Sequence, residues 1–483
     1  MGHTALCVRE GNLPEGMSLP AQNPSPQCAL ALPRPQTPEE EQALVSRFLA
    51  GTRRLFDSGN GDPDLRTRLL RAMRHPVDCP RCAAACHVFL GSGRDERSRP
   101  GVRCGVLRRI YHKYVKGGGR ISTWWHGDVE MDWARIARLA QLAYSCNSCE
   151  RCAQSCPSSD HALVARQLRS VFREMGIAPI EQRGAEVGWL RERVKAIDEH
   201  TSQRAGIEVH TPWDVEGADV LLLQPASTIA DWPENVGAVA LLLTCAGIKW
   251  TMSSELTGDD LGRTFVEDGV ELLRTARRSL RVARSLKAKK IIAGESGVAY
   301  RALHAYAPRP GDDEPEVTRE SVVTLIRDIV GSGRLEFDPI RNDFPVTVHD
   351  PCNLVRHGVV EPQREVLRRL CPQFREMDPW AEQNYCCGGG GGLARIETTG
   401  EWRVQVSGRT KMEQVLDAFS ECLDAGTRKY LCAPCGDCKS QLGELLDAHA
   451  PWEKHRIKCG GLAELAANAA VAVRPGFLNW ENR

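Results

Sequence analysis

Cys146-Asn-Ser-Cys149-Glu-Arg-Cys152-Ala-Gln-Ser-Cys156-Pro157 is the stretch that decides the character of the first half of this chain. Its spacing, C-x2-C-x2-C-x3-C-P, is the one that bacterial ferredoxins use to hold [4Fe–4S] clusters. Three closely spaced thiolates on a tight turn can wrap one face of a cluster, while the fourth leaves in a new direction. Structural zinc usually takes two C-x2-C pairs that are separated by a longer loop. The motif therefore predicts a cubane cluster.

A looser group of cysteines precedes this motif. Its candidate metal ligands are Cys79, Cys82, Cys86 and Cys104. Pro76 stands where a ferredoxin motif has its leading cysteine, and Cys104 is the candidate replacement. Because the fourth cysteine of each motif ligates the other cluster in two-cluster ferredoxins, we expect Cys86 and Cys156 to exchange clusters. Two outcomes remain open, either two cubanes or one cubane beside a zinc or broken site.

A third group of cysteines lies in the last part of the chain. Its members are Cys352, Cys386, Cys387, Cys432, Cys435 and Cys438. Five glycines, Gly388 to Gly392, follow the adjacent pair, and no Lys-Ser/Thr follows them as it would in a phosphate loop. Glycine permits the backbone to approach a cluster and to point N–H groups at its sulfides. We therefore predict that Gly388, Gly389 and Gly390 contact a cofactor.

The composition excludes several classes of function. The chain has 483 residues with 63 basic and 62 acidic side chains, and a net charge of +1 provides no global field for nucleic acid. The longest apolar stretch, Val236 to Trp250, is too short and too polar for a membrane span. The first residues show no secretory pattern, so we expect a cytoplasmic protein. Its 20 cysteines would then stay reduced and serve metal binding and redox chemistry.

The periodicity of apolar residues predicts an α+β multidomain fold, with an α-helical ferredoxin-like domain followed by two Rossmann-like α/β lobes. The expected domains are a proline-rich lead-in with a helix (1–60), the two-cluster domain (61–200), a first lobe (201–335) and a second lobe (336–483). Predicted strands cover 219–223, 289–293, 344–348 and 429–433, and predicted helices cover 235–247, 261–286, 361–371, 401–424 and 438–449. Alternation of this kind indicates parallel sheets that bind ligands at the carboxyl ends of their strands. Cysteines follow the strands only in the second lobe, so the first lobe is expected to be degenerate.

From about residue 75 onward, the chain resembles the cysteine-rich (CCG-domain) iron–sulfur proteins related to heterodisulfide reductase. The segments that carry this resemblance, besides the ferredoxin motif, are Cys86-His-Val-Phe-Leu-Gly-Ser-Gly93, Gly206-Ile-Glu-Val209, His349-Asp-Pro-Cys-Asn353, Asn384-Tyr-Cys-Cys-Gly388 and Ala433-Pro-Cys-Gly-Asp-Cys438. Similar proteins include the K subunit associated with dissimilatory sulfite reductase. The corresponding subunits of the transmembrane and high-molecular-weight cytochrome redox complexes are similar as well.

The resemblance implies a heterodisulfide reductase-like oxidoreductase. Its implied special [4Fe–4S] cluster, non-cubane or cubane, is held by Cys352, Cys386, Cys387, Cys435 and Cys438 and acts on disulfides. Two ordinary [4Fe–4S] clusters would exchange electrons with it. The implied partners are a cytochrome b-type or quinone-reactive membrane subunit and a disulfide-bearing molecule, and the implied location is the inner face of the membrane.

Some features of the chain bear on this interpretation. The family's Gly-Glu-Cys-Gly-His segment is Gly294-Glu-Ser-Gly-Val298 here, and Cys432 is an additional cysteine. His349 and His357 flank Cys352 and are candidate proton donors to a leaving thiolate. Two other interpretations remain open. One is a pure redox relay or the iron–sulfur subunit of a quinone-linked glycolate or lactate dehydrogenase, and the other is a structural zinc-binding protein.

Overall fold

The computed structural model describes residues 28–57, 64–116, 129–156, 158–178, 186–256, 269–304 and 317–480, without the side chains of 269–273. The predicted proline-rich lead-in lies mostly outside these residues. Its helix is described and runs over Pro38–Arg54, where the hydroxyl oxygen of Thr37 accepts the backbone N–H of Glu40 and caps the first turn.

The part of the chain that carries the first two cysteine groups is helical. Its helices are Pro38–Arg54, Leu65–Arg74, Pro80–Ala85, His87–Gly91, Gly101–Ile110, Trp133–Tyr144, Arg151–Ser155, His161–Glu174 and Val187–Ala205, with a 3-10 turn at Glu96–Ser98 and a π-helical turn at Tyr111–Val115. The longer helices of this part, except Val187–Ala205, pack around a separate hydrophobic core. Phe48, Leu69, Leu107 and Phe172 are fully buried in it. Short helices separated by cysteine turns therefore form a compact scaffold for the two motifs. Its ferredoxin-like character stays a prediction.

Two parallel sheets follow. The strands of the first are β1 (Val220–Leu223), β2 (Trp250–Thr251), β3 (Lys290–Ala293) and β4 (Thr318–Ser321), and those of the second are β5 (Val346–Val348), β6 (Phe374–Arg375), β7 (Lys429–Cys432) and β8 (Ile457–Gly460). Every strand pair is parallel. The strand orders are β2-β1-β3-β4 and β6-β5-β7-β8, which is the same order in each sheet. The predicted parallel α/β architecture is confirmed, and the two sheets repeat one topology.

Helices cover these sheets. They are Ala226–Asp231, Pro233–Cys245, Gly269–Ser285, Gly297–Leu303, Val322–Gly331, Cys352–Val355, Glu361–Leu370, Gly400–Trp402, Arg409–Ala418, Gly436–His449, Trp452–His455 and Leu462–Ala469. Short 3-10 turns occur at Pro339–Asn342, Ala381–Gln383, Leu393–Arg395, Glu397–Thr399 and Ser420–Cys422. One hydrophobic core spans both lobes, and the helices Pro233–Cys245 and Leu462–Ala469 pack against each other across it. The lobes are therefore held as one body by apolar burial.

The predicted continuous helix over 401–424 is wrong. The structure has a π-helical turn over Arg403–Ser407, then Gly408, then a helix that ends at Ala418. Gly408 lies against the glycine run, because a Cβ built on Gly388 would be 2.6 Å from the backbone nitrogen of Gly408. The helix is therefore distorted at the point where the backbone of the glycine run packs against it, and a glycine at position 408 allows this close approach. Such π-helical distortions are frequent at functional sites.

Within the described stretches, no helix has both the length and the apolar character that crossing a membrane requires.

Candidate metal centres

Five thiols of the third cysteine group lie together at the carboxyl ends of β5 and β7. Cys352 follows β5, Cys435 and Cys438 follow β7, and the adjacent pair comes from the loop after β6. The Cys387 and Cys438 sulfur atoms are 3.5 Å apart. Cys386 is hydrogen-bonded to Cys352 and Cys387, and Cys438 to Cys435. The structure thus brings together all five residues that were predicted to share one site.

Asp350 positions the loop that carries the adjacent cysteines. Its carboxylate accepts hydrogen bonds from the backbone N–H of Ala381 at 2.8 Å and from the Asn384 amide at 3.2 Å. Arg364 holds the same carboxylate through two bonds of 2.7 and 2.9 Å, and both side chains are fully buried. Burial would raise the pKa of Asp350, but the bonds from Arg364 outweigh it and hold that pKa below its usual value. The His349-Asp-Pro-Cys352 segment therefore fixes the approach of the Cys386 loop as well as supplying a thiol.

The glycine run meets the thiols through its first residue. Gly388 has a φ of +95°, which favours glycine, and its N–H donates to the Cys386 sulfur at 3.5 Å. A backbone donor aimed at a ligand sulfur is a common feature of iron–sulfur sites. A Cβ on Gly389 would lie 2.8 Å from the Cβ of Gln441, so this glycine serves close packing instead.

The first lobe also reaches this site. The N–H of Gly297 donates to the Cys435 sulfur at 3.5 Å, and the carbonyl of Glu295 accepts the N–H of Gly436 at 2.8 Å. The hydroxyl of Ser296 accepts the N–H of Ala299 and caps the helix that follows. The lobe that lacks cysteines at its strand ends thus still contributes a backbone donor to the thiol group.

Two buried basic side chains border the five thiols. One ring nitrogen of His349 lies within 4.8 Å of the sulfur atoms of Cys387 and Cys438, and the ring is hydrogen-bonded to the Cys387 thiol. Burial lowers the pKa of His349 below its ordinary value. Lys411 is fully buried and donates to Asn384 and to Gln414. Burial lowers the pKa of Lys411 to about 7. The sequence-based prediction of the site did not include this residue.

Ionisation within the thiol group is unequal. Hydrogen bonds with Cys386 and Cys438 hold the pKa of Cys387 well below its ordinary value. The hydrogen bond with Cys387 raises the pKa of Cys438 well above it. Thiols this close cannot all ionise without a positive counter-charge, which a metal centre supplies.

Two predicted neighbours of the group lie elsewhere. The thiol of Cys432 is fully buried in the core that spans the lobes, where burial raises its pKa well above the ordinary value. His357 stacks on His304 at 5.3 Å and is next to Tyr300, and burial lowers its pKa. The geometry therefore favours His349 over His357 as a group that acts at the thiols.

The ferredoxin motif lines a small cavity of about 20 Å³. Four cysteines line it, namely Cys86, Cys146, Cys149 and Cys152. Cys86 comes from the earlier cysteine group, as the expected exchange of ligands requires. The structure therefore supports crossed ligation at this centre.

The other centre gathers the remaining thiols of the two motifs. Cys82 is hydrogen-bonded to Cys79, and its sulfur lies within 4.8 Å of the sulfur of Cys156. His75 completes this set, with its Nε2 3.4 Å from the Cys156 sulfur and 3.9 Å from the Cys82 sulfur. Cys104, the predicted replacement ligand, is fully buried, and its sulfur is 3.0 Å from Nδ1 of His161.

The loop of the ferredoxin motif packs directly on the glycine run. The Asn147 amide donates to the carbonyl of Gly388 at 2.7 Å, and a Cβ on Gly390 would lie 2.8 Å from the carbonyl oxygen of Asn147. The fully buried Arg169 donates to the carbonyl of Gly391 at 2.7 Å. The same guanidinium also donates to the carbonyls that lead into the motif. The glycines thus permit the close approach of two backbones.

This packing puts the two thiol sets in contact. The thiol of Cys149 is hydrogen-bonded to that of Cys386 and also lies beside Nδ1 of His87 at 3.9 Å. Arg356 donates to the Cys149 carbonyl at 3.1 Å from the cysteine-rich side. A ligand of one predicted cluster therefore touches a ligand of the other.

The residues present suit iron–sulfur clusters. Every cysteine within the described stretches is free of disulfides. Groups of buried, unbridged thiols provide the soft sulfur ligands that such clusters require. The backbone N–H groups of Gly297 and Gly388, which donate to cysteine sulfur atoms, are further features expected around a bound metal centre.

Comparison with known families agrees with this geometry. Residues 73–159 match the 4Fe-4S dicluster domain, and residues 346–443 match the cysteine-rich domain known as CCG. The chain is therefore an iron–sulfur protein that joins a dicluster domain to a cysteine-rich domain. No solved structure matches the chain.

Curated relatives of the chain are named as iron–sulfur or heterodisulfide reductase subunits. The chain is 25% identical to the Hdr-like menaquinol oxidoreductase iron–sulfur subunit of Archaeoglobus profundus, over 82% of this chain and 79% of that protein. It is 26% identical to iron–sulfur subunit 2 of the same kind of oxidoreductase from Archaeoglobus fulgidus, with the same coverage. One subunit of the dihydromethanophenazine:CoB–CoM heterodisulfide reductase of Methanosarcina acetivorans is 25% identical over 65% of this chain and 77% of its own length.

Proposed function

We propose that the protein is the iron–sulfur electron-transfer subunit of a membrane-associated complex and that its cysteine-rich domain reduces or forms a disulfide. Two [4Fe–4S] clusters would be held by side chains of the dicluster domain, chiefly its eight cysteines. A special cluster would be held by Cys352, Cys386, Cys387, Cys435 and Cys438. The observation that carries this proposal is the convergence of five unbridged thiols in contact with Cys149.

When bound, the clusters supply one-electron steps, and the special cluster supplies the reaction with sulfur; this chemistry belongs to the cofactors. Cleaving one disulfide takes two electrons and two protons and yields two thiols. The chain supplies position and protons. His349 is buried beside Cys387 and Cys438, so its imidazole is placed to hydrogen-bond a thiolate that leaves and to pass on a proton taken up from the solution. Lys411 provides a cation near thiolates that carry negative charge.

The number of thiols at the site favours a reaction with disulfides over electron transfer alone. A cubane takes four cysteine ligands, and this site gathers five sulfur atoms and an imidazole. A relay needs no spare sulfur donor. A site with more donors than a cubane requires fits a non-cubane arrangement, or a cubane with a thiol left free to exchange with a substrate disulfide.

The proposed partner that exchanges electrons with the dicluster domain is a quinone-reactive or cytochrome b-type membrane subunit. Support comes from the relatives named as menaquinol oxidoreductase subunits, which match along four-fifths of this chain. The described residues hold no helix that could cross a membrane. Attachment to the inner face of the membrane would therefore depend on that partner, and gentle detergent extraction should recover the two together.

Matched cysteine variants test the proposal. Cys387→Ala should remove the special cluster and abolish disulfide reduction, while the dicluster domain stays reducible. Cys432→Ala is the control, because Cys432 is a buried cysteine at the end of β7 that lies outside the thiol group. Equal disulfide reduction by both variants, with unchanged iron, would refute the proposed site. A parent protein that cycles electrons but reduces no disulfide would point to the relay or dehydrogenase-subunit function.

A further inference from the structure

His75 occupies the place that the broken first motif leaves open. It ends the helix Leu65–Arg74, whose apolar side chains anchor it in the core of the dicluster domain, and it is 8% exposed. Its neighbour Pro76 stands where a ferredoxin motif has a cysteine. The chain thus has a potential ligand one residue before the position of the missing cysteine.

The ring of His75 is oriented as a metal ligand would be. Nδ1 lies 3.2 Å from the carbonyl oxygen of Pro76, which can only accept a hydrogen bond, so Nδ1 carries the proton. In the neutral form of this tautomer Nε2 carries the lone pair, and it faces the sulfur atoms of Cys156 and Cys82 at 3.4 and 3.9 Å. Ligating histidines in proteins almost always donate their second nitrogen in this way, which fixes the ring and its tautomer.

Cys104 has the weaker geometry for the same role. Its sulfur lies 3.0 Å from Nδ1 of His161, whereas the sulfur atoms of Cys156 and Cys82 face Nε2 of His75. The thiol of Cys104 therefore already has a buried hydrogen-bond partner.

We infer that His75, and not Cys104, is the fourth protein ligand of the cluster held by Cys79, Cys82 and Cys156. This rests on the proposed two-cluster domain. Replacing a thiolate by a neutral imidazole removes one negative charge from the ligand set. Such a replacement raises the reduction potential in other iron–sulfur centres. This cluster is therefore more readily reduced than it would be with four thiolate ligands.

The direct test is pulsed EPR on the full-length protein after reduction, with ordinary protein compared with protein that carries 15N-labelled histidine. We expect a nitrogen coupling of the strength of a directly bound imidazole, altered by the label. His75→Cys should abolish the coupling, keep the iron content and shift one cluster's midpoint potential downward. His161→Gln is the matched control, since it alters another buried histidine of the domain and should keep the coupling. Cys104→Ser should keep both the coupling and the iron.

Three results would overturn the inference. One is a full complement of cubane iron in the labelled protein without a coupling from bound histidine. The second is loss of one cluster in Cys104→Ser while His75→Ala retains both. The third is one zinc per chain in place of the cluster's iron. Because the labelled parent protein is tested directly, the result does not depend on how a variant folds. If the motif Cys146–Cys156 also binds no iron, then the proposed function fails together with the inference.

Discussion

The thiol of Cys149 in the dicluster domain is hydrogen-bonded to the thiol of Cys386 in the cysteine-rich domain. No other residue has to carry charge between these two side chains. The contact depends on the glycine run, since Asn147 bonds to Gly388 and packs on Gly390. The most direct route between the two proposed redox sites therefore runs through two proposed ligand residues, beside the glycine run that lets the two loops approach.

Gly390→Ala should slow electron exchange between the two domains. A Cβ at this position would lie 2.8 Å from the carbonyl oxygen of Asn147, so the ferredoxin loop must move away. We expect at least a several-fold lower rate by rapid-mixing spectroscopy, with unchanged iron content. Gly443→Ala is the control, because a Cβ there meets no atom within 4 Å. Equal rates in the two variants would show that this contact does not carry the electrons.

Cys86→Ser and Cys149→Ser should damage the same cluster, although the residues belong to different motifs. Both line one cavity, so each variant should lose about four irons from that centre. The dicluster domain should also melt at a lower temperature, since metal–thiolate bonds contribute folding energy. Cys79→Ser should instead damage the other cluster, with a different EPR spectrum remaining. If Cys86→Ser matches Cys79→Ser, ligation is not crossed.

Lys411→Met should lower the midpoint potential of the special cluster. The ammonium group favours the reduced, more negative state, and burial strengthens its field. A shift on the order of 100 mV is expected for the loss of one buried charge at this range. A redox titration at pH 6, below the pKa of about 7, measures it with the lysine protonated. The exposed Lys454→Met should leave the potential unchanged, and an unchanged potential in Lys411→Met would contradict the electrostatic role.

Much of the fold was predictable because buried strands and amphipathic helices leave strong patterns. The predicted strands over 219–223 and 289–293 match β1 and β3 to within one residue at each end. The strands that were missed are short or polar. β2 and β6 have two residues each, and β4 (Thr-Arg-Glu-Ser) and β8 (Ile-Lys-Cys-Gly) have four residues each at a sheet edge, so none contains a run of apolar residues. Such strands form because their neighbours offer hydrogen bonds.

The site was predictable where chemistry dictates spacing and unpredictable where only packing does. Thiols at the ends of β5 and β7 follow from the parallel topology, and the structure brings them together as expected. His75 was missed because the ferredoxin motif specifies cysteine at every ligand position. The available signal was the His75-Pro76 pair at the place where the first motif lacks its leading cysteine. Lys411 had a signal too, since it lies on the apolar side of its helix, four residues before the buried Val415. Arg169 and Asn147 depend on contacts with residues more than 200 positions away.

The central claim is that the five-thiol site of the cysteine-rich domain cleaves or forms disulfides. The most direct measurement gives the reduced, full-length protein a small disulfide under anaerobic conditions and counts the thiols released, while EPR follows the oxidised protein with and without added thiol. We predict two thiols per disulfide consumed and an EPR signal that appears only with thiol, both lost in Cys387→Ala and kept in Cys432→Ala. No thiol release and no thiol-dependent signal from a protein with its full iron content would contradict the account.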